Sequence, residues 1–261
     1  MKKILKNVAL IFFMAGILLP AFAFATTITL EPSTAQRKIG GKIRMHVYVN
    51  DAISLISMGV KVSFDPSVLQ VVEASKYENV VDGWLMDGDG DPATTGDQYN
   101  NPAVDIDNTA GTVAMFGGHL TGTSTVGLNG KVLLGWIVFE AVGNGDSQIN
   151  LDLFKYHPDD PVEKFNNFVN LDGSVDEPTN IPGQLGMICV LDDACVGDIN
   201  SSGRVFYDDY ALFNAAWNTQ FGDANYNPAC DLDGDGRIFY SDYALFNADW
   251  NKSCSSCSPP M

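Results

Sequence analysis

Asp198-Ile-Asn-Ser-Ser-Gly-Arg-Val-Phe-Tyr-Asp-Asp209 and Asp231-Leu-Asp-Gly-Asp-Gly-Arg-Ile-Phe-Tyr-Ser-Asp242 are two copies of one loop, and each runs directly into Tyr-Ala-Leu-Phe-Asn-Ala. The copies start thirty-three residues apart, and fourteen of twenty-two positions agree when 197–218 is laid on 230–251. Oxygen-bearing side chains at loop positions 1, 3, 5 and 12, with a backbone carbonyl at position 7, form the donor pattern that a hard cation of calcium's size requires. The first copy offers Asp198, Asn200, Ser202, the carbonyl of Arg204 and Asp209; the second offers Asp231, Asp233, Asp235, the carbonyl of Arg237 and Asp242. Gly203 and Gly236, at position 6, take the sharp turn that a Cβ would obstruct. The pattern predicts two calcium ions, with the tighter site in the second loop, which has four carboxylates against two.

A paired EF-hand needs a helix before each loop, but Leu-Asp-Asp-Ala-Cys-Val-Gly precedes Asp198 and Asn-Tyr-Asn-Pro-Ala-Cys precedes Asp231. Neither stretch reads as an amphipathic helix. A loop followed by one helix, twice, resembles a dockerin, the small all-α, calcium-folded module that plugs into cohesin domains, and the likeness covers 196–252. The chain departs from the dockerin pattern at loop position 9, where Phe206 and Phe239 stand in place of a polar residue; these rings are expected to pack in the core between the two halves. The resemblance implies a partner-binding face made of Tyr207, Asp208, Asn214 and Ala215 in one copy and Tyr240, Ser241, Asn247 and Ala248 in the other. Either copy could then face a partner. An exposed Tyr suits an interface anchor, while a Tyr that covers the calcium loop is the alternative role.

Lys2, Lys3 and Lys6 precede an apolar run at 8–19, followed by Pro20 and Ala23-Phe-Ala25. This reads as a secretory signal peptide over 1–25, with the mature chain starting at Thr26. Loss of three lysines moves the formal charge from −17 to −20, leaving 12 Lys and Arg against 32 Asp and Glu. Such a balance argues against nucleic acid or an anionic membrane as partner. No second apolar run follows, so no membrane span is expected after the signal is removed. The five cysteines Cys189, Cys195, Cys230, Cys254 and Cys257 lie in the last third and suit an oxidising, extracellular compartment. Their connectivity does not follow from sequence, one must stay unpaired or pair between chains, and a zinc site at Cys254 and Cys257 is the rival reading.

Between signal and repeats, 26–176 reads as one mainly β domain. Segments 27–30, 43–49, 58–64, 68–72, 112–116, 132–142 and 149–153 are rich in Val, Ile and aromatics, and Gly, Asp, Asn and Pro separate them. Many short strands with turn signals and no long helix predict a two-sheet sandwich. Three blocks resemble cohesins. They are Met58-Gly-Val-Lys-Val-Ser-Phe-Asp-Pro-Ser-Val-Leu-Gln-Val-Val72, Gly130-Lys-Val-Leu-Leu-Gly-Trp-Ile-Val-Phe-Glu-Ala141 with the residues after it, and Phe168-Val-Asn-Leu-Asp-Gly-Ser-Val175. The likeness implies a cohesin-like jelly roll that is non-catalytic and holds a dockerin on one sheet face.

The stretch 81–109 reads as a loop carrying Asp87, Asp89, Asp91, Asp97, Asp105 and Asp107. Pro92 stands where a calcium loop needs Gly, so a solvated acidic loop is preferred to a third ion. The scattered His46, His119 and His157 and the lack of a Gly-x-Ser-x-Gly elbow argue against an enzyme. Trp84 and Trp136 could stack on sugar, though a strand tryptophan more often packs in a core. Residues 177–194 read as a linker between independently folding modules, 195–253 as the dockerin and 254–261 as a tail. The reading is a secreted, calcium-dependent adaptor that joins cohesin-bearing and dockerin-bearing proteins, in complexes of the kind that degrade polysaccharide. A sandwich that binds carbohydrate, tethered by its dockerin, and head-to-tail self-association of the chain are the alternatives.

Overall fold

The computed structural model describes residues 26–77, 104–118, 127–152, 168–172, 175–176 and 184–255. The signal segment, the carboxylates at 87–97, Trp84, His119, His157, 177–183 and Cys257 lie outside them. Strands β1 (Thr27–Glu31), β2 (Thr34–Arg37), β3 (Lys42–Ser63), β4 (Leu69–Lys76), β5 (Val104–Asp107), β6 (Thr112–Gly118), β7 (Leu128–Ala141), β8 (Gly145–Asp152), β9 (Phe168–Asn170), β10 (Val175–Asp176) and β11 (Gln184–Val190) form one hydrogen-bonded network. Its backbone is β3. The first half of β3 pairs with β1 and β7, and β4 pairs with β7; the second half pairs with β6, β8 and β9. Between the halves, Asp51 and Ser54 take positive φ of 57° and 52°, and the register against β7 shifts. Such irregularities let one strand pass from one layer to the other and close a sandwich.

Alternation along β3 sends Ile43, Met45, Val47 and Val49 into the core, where they meet Val60, Val62, Leu134, Phe139, Ile149 and Leu151. The period-2 pattern puts Arg44 and His46 on the outer face, where water would be expected. Both are nonetheless buried, at 7% and 1% exposure. The C-terminal module covers them.

Three expectations about organisation need correction. Residues 184–190 are not linker: β11 pairs antiparallel with β8 and parallel with β2, and 185–190 are all buried. Its apolar run is that of a strand buried on both faces, which does not alternate. The connection to the C-terminal module is therefore short, running from Leu191, bonded to the carbonyl of Arg37, to Ala194, bonded to Leu191. Second, the modules are not independent bodies, because they share the buried contact described below. Third, residues 104–107 are a strand paired with β6, not part of a loop.

The C-terminal module has helices α1 (Tyr207–Ala215) and α2 (Tyr240–Ala248), a short turn at Pro228–Cys230, and strands β12 (Thr219–Gln220) and β13 (Arg237–Ile238), which pair antiparallel. It is thus not wholly helical. Each helix buries only two side chains, Asp209 and Phe213 in α1 and Asp242 and Phe246 in α2. Nine residues are too few for a helix to persist alone, so packing holds them. Phe213 stacks on Phe246 at 5.2 Å and 17° where the repeats meet. The position-9 rings do pack between repeats, Phe206 on Trp250 and Phe239 on Trp217, both at 5.8 Å, but at the rim, Phe239 being 44% exposed. Cys195 and Cys254 form a disulfide across the ends of the module, Cys189 is also disulfide-bonded, and Cys230 is free and buried. With Cys254 committed to a disulfide, its thiolate is not available to zinc.

Candidate metal centre and docking face

The second loop closes around its own carboxylates. Asp242, at helix position N3, accepts Leu232 N (2.7 Å) and Asp233 N (3.2 Å) at Oδ1 and Phe239 N (2.8 Å) at Oδ2, so one side chain closes the loop and starts α2. Asp233 Oδ1 accepts Asp235 N (3.1 Å) and Asp235 Oδ1 accepts Arg237 N (2.8 Å), the local turns that aim short acidic side chains inward. Asp231 is fully buried; its Oδ2 accepts Gly236 N (2.9 Å) and the Tyr226 hydroxyl (2.6 Å), and its Oδ1 has no hydrogen-bond partner. Carboxylate oxygens of Asp231, Asp233 and Asp235 lie within 4.8 Å of one another.

A buried carboxylate oxygen with no donor is costly. A hard cation among these oxygens would supply what the protein does not, and the donor set fits calcium. Burial pushes the Asp231 carboxyl up to about 6 against the Tyr226 hydrogen bond, and the Asp242 charge adds to the rise. Burial likewise raises Asp242. The Tyr226 phenol is held protonated, pushed well up by burial and by Asp231, and so remains a donor.

The first loop has the same turn with weaker chemistry. Asp198 accepts Ser202 N and Gly203 N, both at 2.9 Å, Asn200 Oδ1 accepts Ser202 N (3.0 Å), and Asp209 accepts Asn200 N (3.1 Å) and Phe206 N (2.9 Å). The Ser202 hydroxyl donates to the Arg204 carbonyl at 3.1 Å, and Asn200 Nδ2 to Asp208 at 2.6 Å. At loop positions 1, 4 and 6, Asp198 and Gly203 are half-buried and Ser201 is exposed, whereas Asp231, Gly234 and Gly236 of the second loop are buried. The side chains of Arg204 and Arg237 are exposed and play no part in either donor set; only their carbonyls could.

All eight side chains of the expected partner face are exposed: Tyr207, Asp208, Asn214 and Ala215, and Tyr240, Ser241, Asn247 and Ala248. Tyr207 and Tyr240 are each 68% exposed. Each leans on the neighbouring aromatic stack, Tyr207 against Phe206 (4.8 Å) and Trp250 (5.4 Å), Tyr240 against Phe239 (4.9 Å) and Trp217 (5.3 Å). Tyr210, Leu212, Tyr243 and Leu245 are exposed on the same helices. Sequence reasoning did not single these four out; the repetition of Tyr-Ala-Leu-Phe-Asn-Ala in both copies is the signal that could have found them.

Nothing in the sequence pointed to the face of the sandwich beneath the second loop. Arg44 Nε donates to the Gly234 carbonyl (3.2 Å) and lies 4.0 Å from Asp231 Oδ2; its guanidinium also pairs with Glu73 (3.5 Å) and sits 5.4 Å from the Trp136 ring. Trp136 Nε1 donates to Glu73 (2.9 Å), so this tryptophan is held in the contact between modules. Gly234, at φ 75°, lies so close to β3 that a Cβ would stand 3.3 Å from Arg44 N. Phe221 packs on His46 (4.9 Å), Trp136 (5.2 Å) and Tyr77 (5.7 Å), and His46 stacks on Tyr226 at 5.7 Å and 25°. Burial, with Arg44 and Lys131 nearby, lowers His46 to about 4 and keeps the ring neutral. Arg37 is buried as well; desolvation brings it down to about 10 against the pull of Asp231, Asp242 and Asp233. Beside this contact a cleft of about 550 Å³ opens between the modules. Among the described residues, no helix is long and apolar enough to cross a membrane.

No family model matches the chain, and no curated protein matches it. Among solved structures it is similar to a type I cohesin–dockerin complex from Clostridium thermocellum, at 15% identity and a TM-score of 0.42, over 64% of this chain and 99% of that one. It is similar to a non-cellulosomal cohesin from the hyperthermophilic archaeon Archaeoglobus fulgidus, at 15% identity and a TM-score of 0.40, over 64% and 91% of the two chains. A type II cohesin domain from the cellulosome of Acetivibrio cellulolyticus is similar at 12% identity and a TM-score of 0.38, over 58% and 87%.

Proposed function

We propose that this chain is a secreted, non-catalytic adaptor whose C-terminal module binds two calcium ions and plugs into a cohesin-bearing protein, while its sandwich receives a dockerin-bearing one. The observation that carries the reading is the second loop. Three carboxylates converge there and the buried Asp231 Oδ1 lacks any donor, which is the chemistry of a site built for a cation. The exposure of Tyr207 and Tyr240 at equivalent places in the two repeats supports a docking face, since an aromatic anchor needs to be free to enter a partner. The intramolecular contact covers the outer side of the layer containing β4, β7 and the first half of β3. It leaves Asp105, Ile106 and Asp107 of the other layer exposed. The extracellular polysaccharide-degrading complex is the setting that the family resemblance implies. Carbohydrate binding by the sandwich would want exposed aromatics on it; Trp84 lies outside the described residues, and Trp136 is half-buried in the contact between the modules.

Size-exclusion chromatography with light scattering on the full mature chain, in calcium and in chelator, tests this reading. The chain is run alone and with a panel of cohesin and dockerin domains. A calcium-dependent complex that a Tyr207→Ala, Tyr240→Ala double variant weakens at least tenfold is the expected result, the loss of about 1.4 kcal/mol or more that hot-spot aromatics contribute. A homo-oligomer with the same calcium dependence would identify the partner as a second copy. A monomer that ignores the whole panel in calcium would contradict the adaptor reading.

A further inference from the structure

The two loops differ in what lies behind the position-1 carboxylate. Asp198 accepts backbone and hydroxyl donors from its own loop, at Ser202 and Gly203. Asp231 accepts from Gly236 of its loop and also from the hydroxyl of Tyr226, five residues upstream. The residue five before Asp198 is Asp193, whose carboxylate instead accepts the Ser255 hydroxyl. Tyr226 does not stand alone, because its ring rests on His46 of β3, and Arg44, two residues earlier on the same strand, approaches the same Asp231 oxygen and holds the Gly234 carbonyl. These groups occupy Oδ2 and leave Oδ1 as the buried oxygen without a partner. Outer partners of this kind fix a ligating carboxylate and raise metal affinity.

We propose that the sandwich completes the second metal site: His46 holds Tyr226, Tyr226 and Arg44 orient Asp231, and calcium affinity at 231–242 depends on strand β3 of the other module. The inference rests on the calcium reading above. By linkage, whatever the docked sandwich adds to metal affinity the metal adds to docking, so calcium in this loop also ties the two modules into one body. Among the described residues the first loop has no such support, and it serves as an internal control.

The test is a calcium titration of the full chain followed by the amide resonances of Gly203 and Gly236, each of which donates to the position-1 Asp of its own loop. Tyr226→Phe removes the hydroxyl and keeps the ring on His46. The expected result is a 10- to 100-fold loss of affinity at Gly236 with Gly203 unchanged, the size usual for loss of an outer-sphere partner. His46→Leu removes the ring under Tyr226 without touching the loop, and weakens the same site in the same direction. A general loss of fold would move both glycines together. If Gly236 titrates alike in wild type and both variants, the sandwich merely packs against the loop and the proposal is wrong. If neither glycine responds to calcium in the wild type, the calcium reading itself falls, and this inference with it.

Discussion

Asp231 and His46, joined at the junction through Tyr226, respond oppositely to acid. Burial raises the Asp231 carboxyl to about 6 in the metal-free protein, above the roughly 3.9 of an unfolded Asp. Its contribution to stability is therefore present below about pH 4 and lost as pH rises through 6. Burial lowers His46 to about 4, below the roughly 6.5 of a free His, so its contribution is present above about pH 6.5 and lost as pH falls through 4. Without calcium the two slopes offset between pH 4 and 6.5. With calcium, Asp231 must be ionised to ligate, protons compete with the metal, and both effects then destabilise in acid. The gap in melting temperature between calcium and chelator should accordingly be wide at pH 7 and shrink strongly by pH 4.5, as scanning calorimetry would read. An equal gap at both values would mean that Asp231 does not ligate.

At the scale of elements, each short helix depends on one deep phenylalanine and one N3 aspartate. Phe246 is 2% exposed and stacks on Phe213, so Phe246→Ala should cost about 3–5 kcal/mol of module stability, measured by chemical denaturation in calcium. A loss below about 1 kcal/mol would show that the repeats do not share that core. How far these elements could be read in advance follows from the same physics. The strands at 43–49 and 132–142 announce themselves because they are rich in Val, Ile and aromatics with polar residues interspersed, and the repeated Asp-x-x-x-x-Gly spacing marks both loops. β11 is hidden because 185–190 are buried throughout, and an unbroken apolar run after a proline-rich stretch carries no period. Arg44 and His46 stand at wet positions of an alternating strand. Only the tertiary contact reveals that Gly234, Phe221 and Tyr226 cover them, since the residues that meet there lie some 180 positions apart. Tyr226, in a segment with no motif, joins the site through a single hydroxyl.

At the scale of the whole molecule, a bivalent adaptor would benefit from a stiff junction, because a fixed geometry sets how two partners are presented to one another. The short connection after β11, the Arg44–Gly234 hydrogen bond and the aromatic contact around Phe221 supply that stiffness. The adaptor reading stands or falls on the metal, since the carboxylates of 231–242 repel one another until a cation joins them, and much of the module's folding free energy should come from that binding. Calorimetric titration of calcium into the chelator-stripped full chain addresses this most directly. The account predicts two ions per chain, the tighter abolished by Asp231→Ala and the weaker by Asp198→Ala. Absence of binding, or two sites that survive Asp231→Ala, would contradict it.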